Sequence, residues 1–245
     1  MTKVTLITGG SRGIGAATAR LSAAEGHAVA INYRSDATAA EKVRAEAESV
    51  GAKAMVVQAD TGVESDIMHM FEEVDRNLGT VTGLVNNAGI HGPRGRLDAL
   101  SAGDIDRVLE VNVRGYFLCA REAIKRMSTK HGGAGGSIVN VSSGSARLGN
   151  PNDGVLYAAS KGAGNSLTIG LSQEVAGEGI RINTVAPGLT ATNMPPPEKL
   201  ETQGPGIPIG RVAEASEIAE AIVWLLSDKA SYTAGANIRV GGGRI

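Results

Sequence analysis

A chain of 245 residues, 42% hydrophobic but only 3% aromatic, can bury one large α/β core made mostly of Val, Ile, Leu and Ala. Its formal net charge of −1, spread along the chain, excludes electrostatic capture of nucleic acid or of an anionic membrane. The start, M-T-K-V-T-L-I-T-G-G, carries no signal-peptide pattern and no apolar run is long enough to cross a bilayer, so a cytoplasmic protein is expected.

The first predicted strand, 3–8, runs into T-G-G-S-R-G-I-G, where Gly9, Gly13 and Gly15 lead into a helix over 13–25. Such a turn lets backbone approach a pyrophosphate at the positive end of a helix. The spacing is not G-x-G-x-x-G, and methyltransferases or plain structural turns share glycine turns. The second strand, 28–33, ends in I-N-Y-R-S-D. A free ribose 2′-hydroxyl calls for Asp or Glu there. Tyr33 and Arg34 stand in that place, and Arg12 lies in the glycine turn. Two guanidinium groups suit a 2′-phosphate, which favours NADP(H) over NAD, while nearby Asp36 keeps the other reading open.

Further along, helices are predicted over 36–49 and 63–78, with strands over 53–58 and 82–86. The helix predicted over 101–129 contains Asn112 and Cys119, the only cysteine, which reads as buried apolar filler in a reducing compartment. A strand over 137–142 leads to Ser142 and Ser143, and a helix over 155–177 carries Y-A-A-S-K. After a strand over 181–186, residues 187–213 hold six of the eight prolines and cannot be helical throughout. This stretch follows a strand's carboxyl end, so a substrate lid over about 189–213 is expected. A helix over 214–227 and a strand over 237–240 close the chain.

Strands apolar without alternation, separated by helices, predict a Rossmann-like, doubly wound parallel sheet of about seven strands with helices on both faces. No linker or repeat interrupts it, so residues 1–245 read as one dinucleotide-binding domain. Tyr157 and Lys161 lie one helical turn apart and share a face. A cation beside a phenol favours the phenolate, so the pair points to proton transfer next to a bound nicotinamide. The four histidines, 27, 69, 91 and 131, show no ligand spacing, and no metal is expected.

T-G-G-S-R-G-I-G, A-D-T at 59–61, N-N-A-G at 86–89, Asn112, S-S at 142–143, Y-A-A-S-K and P-G at 187–188 occur in this order. Together they resemble the short-chain dehydrogenase/reductase family over essentially the whole chain. The resemblance implies that Tyr157 is the general acid or base and that Lys161 lowers its pKa and bonds the nicotinamide ribose. Ser143 would hold the substrate oxygen, with Ser145 a remote alternative, and Asn112 would organise a water relay to Lys161. Gly9, Ser11, Arg12, Gly13, Ile14, Gly15, Tyr33 and Arg34 would hold the phosphates and adenosine ribose. Asp60 and Thr61 would meet the adenine; Asn87, Ala88 and Gly89 its ribose. Pro187, Gly188, Leu189, Thr190 and Thr192 would contact the nicotinamide amide and phosphates.

The same resemblance implies NADP(H)-dependent hydride transfer with a small ketone or secondary alcohol. It also implies a homotetramer built on the two long helices, whose apolar faces include Tyr116, Phe117, Leu118, Leu167 and Leu171, together with the tail V-G-G-G-R-I. An acyl-carrier-protein reductase would present arginines near the site. Glu178 stands where such a basic residue is expected, although Arg121, Lys125, Arg126 and Lys130 offer another patch. NAD-linked sugar or alcohol oxidation is the alternative. A catalytically silent dinucleotide-binding sensor or scaffold would be expected to lose the tyrosine, the lysine or the glycine turn, all of which are present.

Overall fold

The computed structural model describes residues 3–244, so Ile245 of the tail lies outside the described residues. Seven strands, β1 (Val4–Ile7), β2 (Ala28–Tyr33), β3 (Ala54–Gln58), β4 (Gly83–Asn86), β5 (Gly136–Val141), β6 (Ile180–Pro187) and β7 (Asn237–Val240), form one sheet. Their order is β3-β2-β1-β4-β5-β6-β7, and every pairing is parallel. Chain order reverses between β1 and β4, which opens a crevice at the strands' carboxyl ends.

Adjacent strand residues face opposite layers, so Leu6 and Ile138 join one core cluster while Ile7 and Val139 join the other. The first cluster is covered by α3 (Glu64–Asn77), α5 (Gly115–Met127) and α7 (Val155–Val175). The second is covered by α1 (Gly13–Ala24), α2 (Ala37–Ser49) and α9 (Ala215–Leu226). Both strand faces are buried, which is why the strands read as apolar runs. Cys119 lies in the first cluster, and burial pushes its thiol up to about 12.

One expectation is corrected. The helix expected over 101–129 is α4 (Ala102–Leu109) and α5, joined by a π-helical turn at Glu110–Arg114. Such turns insert one residue into the helical ladder, and this one holds Asn112. Gly115 follows because a Cβ there would sit 2.4 Å from the Thr61 carbonyl oxygen. The proline-rich stretch, in turn, contains α8 (Pro197–Gln203), and a short α6 (Ser145–Leu148) precedes α7. No helix among the described residues is long and apolar enough to cross a membrane.

Candidate active site

A cavity of about 610 Å³ runs along the carboxyl ends of the strands, within the ~300–1,000 Å³ common for ligand sites. One end is a cradle of backbone. Gly9 and Gly13 have φ of +61° and +53°, which side-chain-bearing residues rarely adopt. A Cβ on Gly15 would lie 2.3 Å from the Gly9 oxygen. The first turn of α1 has no side-chain cap, so its N–H groups remain available to an anion.

Asn32 and Thr8, which sequence reasoning passed over, brace this cradle together with the expected Asn87. Asn32 Oδ1 accepts from the Gly9 N–H at 3.0 Å. Asn87 Nδ2 donates to the Thr8 and Gly9 carbonyls at 2.9 and 3.0 Å. Thr8 Oγ1 accepts from the Asn87 and Ala88 N–H groups at 2.9 and 3.0 Å. Asn32 was detectable as a lone amide in an apolar strand. Ser11, Arg12, Ile14, Tyr33, Arg34, Thr61 and Gly89 also line the cavity. Arg12 and Arg34 are exposed and form no ion pair among the described residues. Asp36, by contrast, caps α2 by accepting from the Ala39 N–H at 3.0 Å. Asp60 accepts from Arg107 at 2.6 Å and from the Gly62 N–H at 2.8 Å. Burial works to raise its pKa, but these bonds and nearby Arg34 outweigh it and hold the carboxyl below the usual range.

At the other end, α7 presents Tyr157 and Lys161, 8% and 3% exposed. Burial raises the Tyr157 phenol, and the nearby Ser143 hydroxyl offsets part of that rise. Burial lowers Lys161 to about 7. Its ammonium is not bonded to Tyr157. It donates to Tyr116 Oη and to the Val141 carbonyl, each at 2.8 Å. Its Nζ lies 5.9 Å from the centre of the Tyr157 ring, so the charge stands beside the phenol without a hydrogen bond to it. Tyr116 itself is no part of an outward apolar face. It is 3% exposed and donates to the Val141 carbonyl at 2.9 Å.

The serines separate as strand alternation requires. Ser142 Oγ donates to the Lys161 carbonyl at 3.2 Å, while Ser143 Oγ accepts from the Ser145 N–H at 3.1 Å. Asn112 Oδ1 accepts from the Ile90 N–H at 2.9 Å, and its Nδ2 donates to the Ile90 carbonyl and to Ser160 Oγ at 2.8 and 3.0 Å. Its side chain thus clamps the loop after β4 to α7 rather than touching Lys161. Another residue missed in the sequence, His91, stacks on Tyr157 with centroids 4.9 Å apart and planes 21° apart.

The other wall follows β6. Pro187, Gly188, Leu189, Thr190 and Thr192 line the cavity. Ala191 N–H donates to the Ala213 carbonyl, and Ala213 N–H to that of Leu189, at 2.8 and 3.0 Å. These bonds close the base of segment 189–213. Lys199 on α8 then reaches Asp153 at 2.7 Å. Glu178, outside this cavity, bonds the Ser128 hydroxyl and pairs with Lys130 at 2.7 Å, so it serves the fold.

A crevice at the chain reversal, a backbone cradle for a diphosphate and a buried Tyr–Lys pair define a dinucleotide-dependent oxidoreductase of the doubly wound class. The family model described as Enoyl-(Acyl carrier protein) reductase matches residues 9–244. The chain is 50% identical over 245 residues to the uncharacterized oxidoreductase YgfF of Escherichia coli (strain K12), covering 98% of this chain and 99% of that one. It is 36% identical over 249 residues to the 3-oxoacyl-acyl-carrier-protein reductase FabG of Staphylococcus aureus (strain Mu50), covering 99% and 98%. A short chain dehydrogenase from Burkholderia cenocepacia, solved in complex with NADP, superposes with a TM-score of 0.91 at 36% identity, covering 99% and 97%. The chain belongs to the short-chain dehydrogenase/reductase family and is an oxidoreductase.

Proposed function

We propose that the protein reduces a ketone, or oxidises the matching secondary alcohol, with NADP(H). One observation carries this reading: the Tyr157 phenol and the Ser143 hydroxyl meet at one end of a cavity whose other end offers a Cβ-free cradle and two unpaired arginines. The cradle fits a dinucleotide, with the first turn of α1 toward the diphosphate and Arg12 and Arg34 toward a 2′-phosphate. When bound, the cofactor supplies or accepts the hydride.

The chain's own groups do the rest. Ser143 donates to the substrate oxygen as charge builds there. Tyr157 delivers the proton in reduction and, as the phenolate, takes it in oxidation. Lys161, lowered to about 7 by burial, is held beneath Tyr157 by its bonds to Tyr116 Oη and the Val141 carbonyl. Asn112 positions the loop after β4, and segment 189–213 acts as a lid. The binding of NADP by the Burkholderia relative and the name of the Staphylococcus reductase support this assignment.

Calorimetric titration with NADPH and NADH at equal salt tests it. Tight NADPH with weak NADH is expected, and comparable affinities would return the reading to NAD-linked oxidation. Phe117 and Ile169, 50% and 56% exposed on α5 and α7, support assembly as a homotetramer. A monomeric mass by light scattering would end that idea.

A further inference from the structure

We propose that the substrate is an oxo or hydroxy acid, whose carboxylate is held by Arg94 and Lys199, with Arg244 beside them, while Tyr157 and Ser143 handle its carbonyl or carbinol. The inference rests on the oxidoreductase reading above. Arg94, Lys199 and Arg244 all line the same cavity as Tyr157. They come from three separate places: the loop after β4, α8 and the C-terminal tail.

The carboxylate that holds two of them sits behind the wall. Asp153 accepts from Arg94 Nη1 at 2.6 Å and from Lys199 at 2.7 Å, and is not itself a lining residue. Two cations on one carboxylate leave a net positive charge facing the cavity. Donors also remain to spare. Beyond Asp153, Arg94 spends only Nη2, on the Met194 carbonyl at 3.4 Å, and Lys199 makes one bond. Arg244 has a neutral partner, Gln203 Oε1 at 3.2 Å, one turn on from Lys199 along α8. The lining carboxylates among the described residues are Asp36, which caps α2, and Asp60, which is paired with Arg107. Both belong to the ends of β2 and β3, so the Tyr157 end is cationic.

These cations are near the reacting group. His91 stacks on Tyr157, and its Nε2 lies 4.0 Å from Asp153 Oδ2. The charge of Arg94 is felt at the Tyr157 phenol itself. Gly154 makes room for this stack, since a Cβ there would lie 2.6 Å from the His91 ring. Guanidinium and ammonium donors suit a carboxylate through charge-assisted hydrogen bonds.

The test is steady-state reduction by NADPH of 4-oxopentanoate and 4-oxocyclohexanecarboxylate, each against its neutral amide. The wild type, Arg94→Gln, Lys199→Gln and the double variant are compared. The wild type is expected to prefer the acids by about 10- to 100-fold in kcat/KM, through KM, and the double variant to lose that preference. Equal rates for acid and amide in the wild type would overturn the anion site while leaving ketone reduction standing. Weaker NADPH binding by the variants, with the acid preference intact, would also overturn it, by assigning the cations to the cofactor. If no ketone turns over, the reductase reading fails separately. Calorimetric binding of 4-oxopentanoate, present in the wild type and lost in the double variant, would then sustain the anion site, and no binding would sink it.

Discussion

The two ends of the cavity are held by different means. The glycine-turn end is backbone and short polar side chains: Gly9, Gly13 and Gly15 shape it, and Asn32, Asn87 and Thr8 brace it with hydrogen bonds of 2.9 to 3.0 Å. The Tyr157 end is long charged side chains reaching across loops, with Arg94 and Lys199 meeting on Asp153. A backbone cradle admits one ligand shape and tolerates almost no added volume. Side-chain ion pairs near solvent are individually weak and can be exchanged without disturbing the sheet. One scaffold can therefore keep its cofactor while its substrate varies.

The largest effect should come from Tyr157→Phe. Turnover is expected to fall about 10²- to 10⁴-fold with NADPH affinity retained, because the acid/base is lost and the cradle is not. Wild-type-like turnover in stopped-flow NADPH oxidation would remove the phenol from the mechanism. Next is Arg34→Asp, which should weaken NADPH by about 30- to 150-fold, or about 2–3 kcal/mol, through a lost contact and added repulsion. NADH affinity should move far less. An unchanged NADPH isotherm would mean that the 2′-phosphate is held elsewhere.

Lys161 gives a pH-dependent effect. Burial lowers it from the usual 10.5 to about 7, so between these values the unfolded chain binds more protons than the folded one. Its destabilising contribution is therefore greatest below pH 7 and is relieved as pH rises. Relative to Lys161→Met, wild-type stability should gain about 2 kcal/mol from pH 7 to pH 9. Urea melts with parallel pH profiles for both proteins would show that the buried ammonium is not depressed. The smallest effect belongs to Asp36→Ala, which should cost about 1 kcal/mol of stability through the lost α2 cap. The ratio of NADPH to NADH affinity should stay the same, and a marked change would make Asp36 a ribose ligand after all.

Legibility in the sequence followed the range of the contacts. Strand and helix positions were readable, since β2 and β7 fall where the apolar runs end and α9 differs by one residue at each end. The π-helical turn at Asn112 was not, and the partners of that side chain, Ile90 and Ser160, lie 22 and 48 residues away. Asp60 and Glu178 show the same limit. Nothing near either carboxylate in the chain announces its partner, Arg107 for Asp60 and Lys130 for Glu178.

By itself the sequence determined the alternating elements, the glycine turn with Arg12, the Tyr157–Lys161 spacing and Arg34 after β2. Each depends on residues within one helical turn or one strand end, where local geometry dictates neighbours. Only the tertiary structure decided that Lys161 bonds Tyr116, 45 residues earlier, and that Lys199 reaches Asp153, 46 residues earlier. Those contacts form when the sheet stacks distant helices on one face and the segment after β6 folds back over the cavity. No local pattern encodes such a meeting.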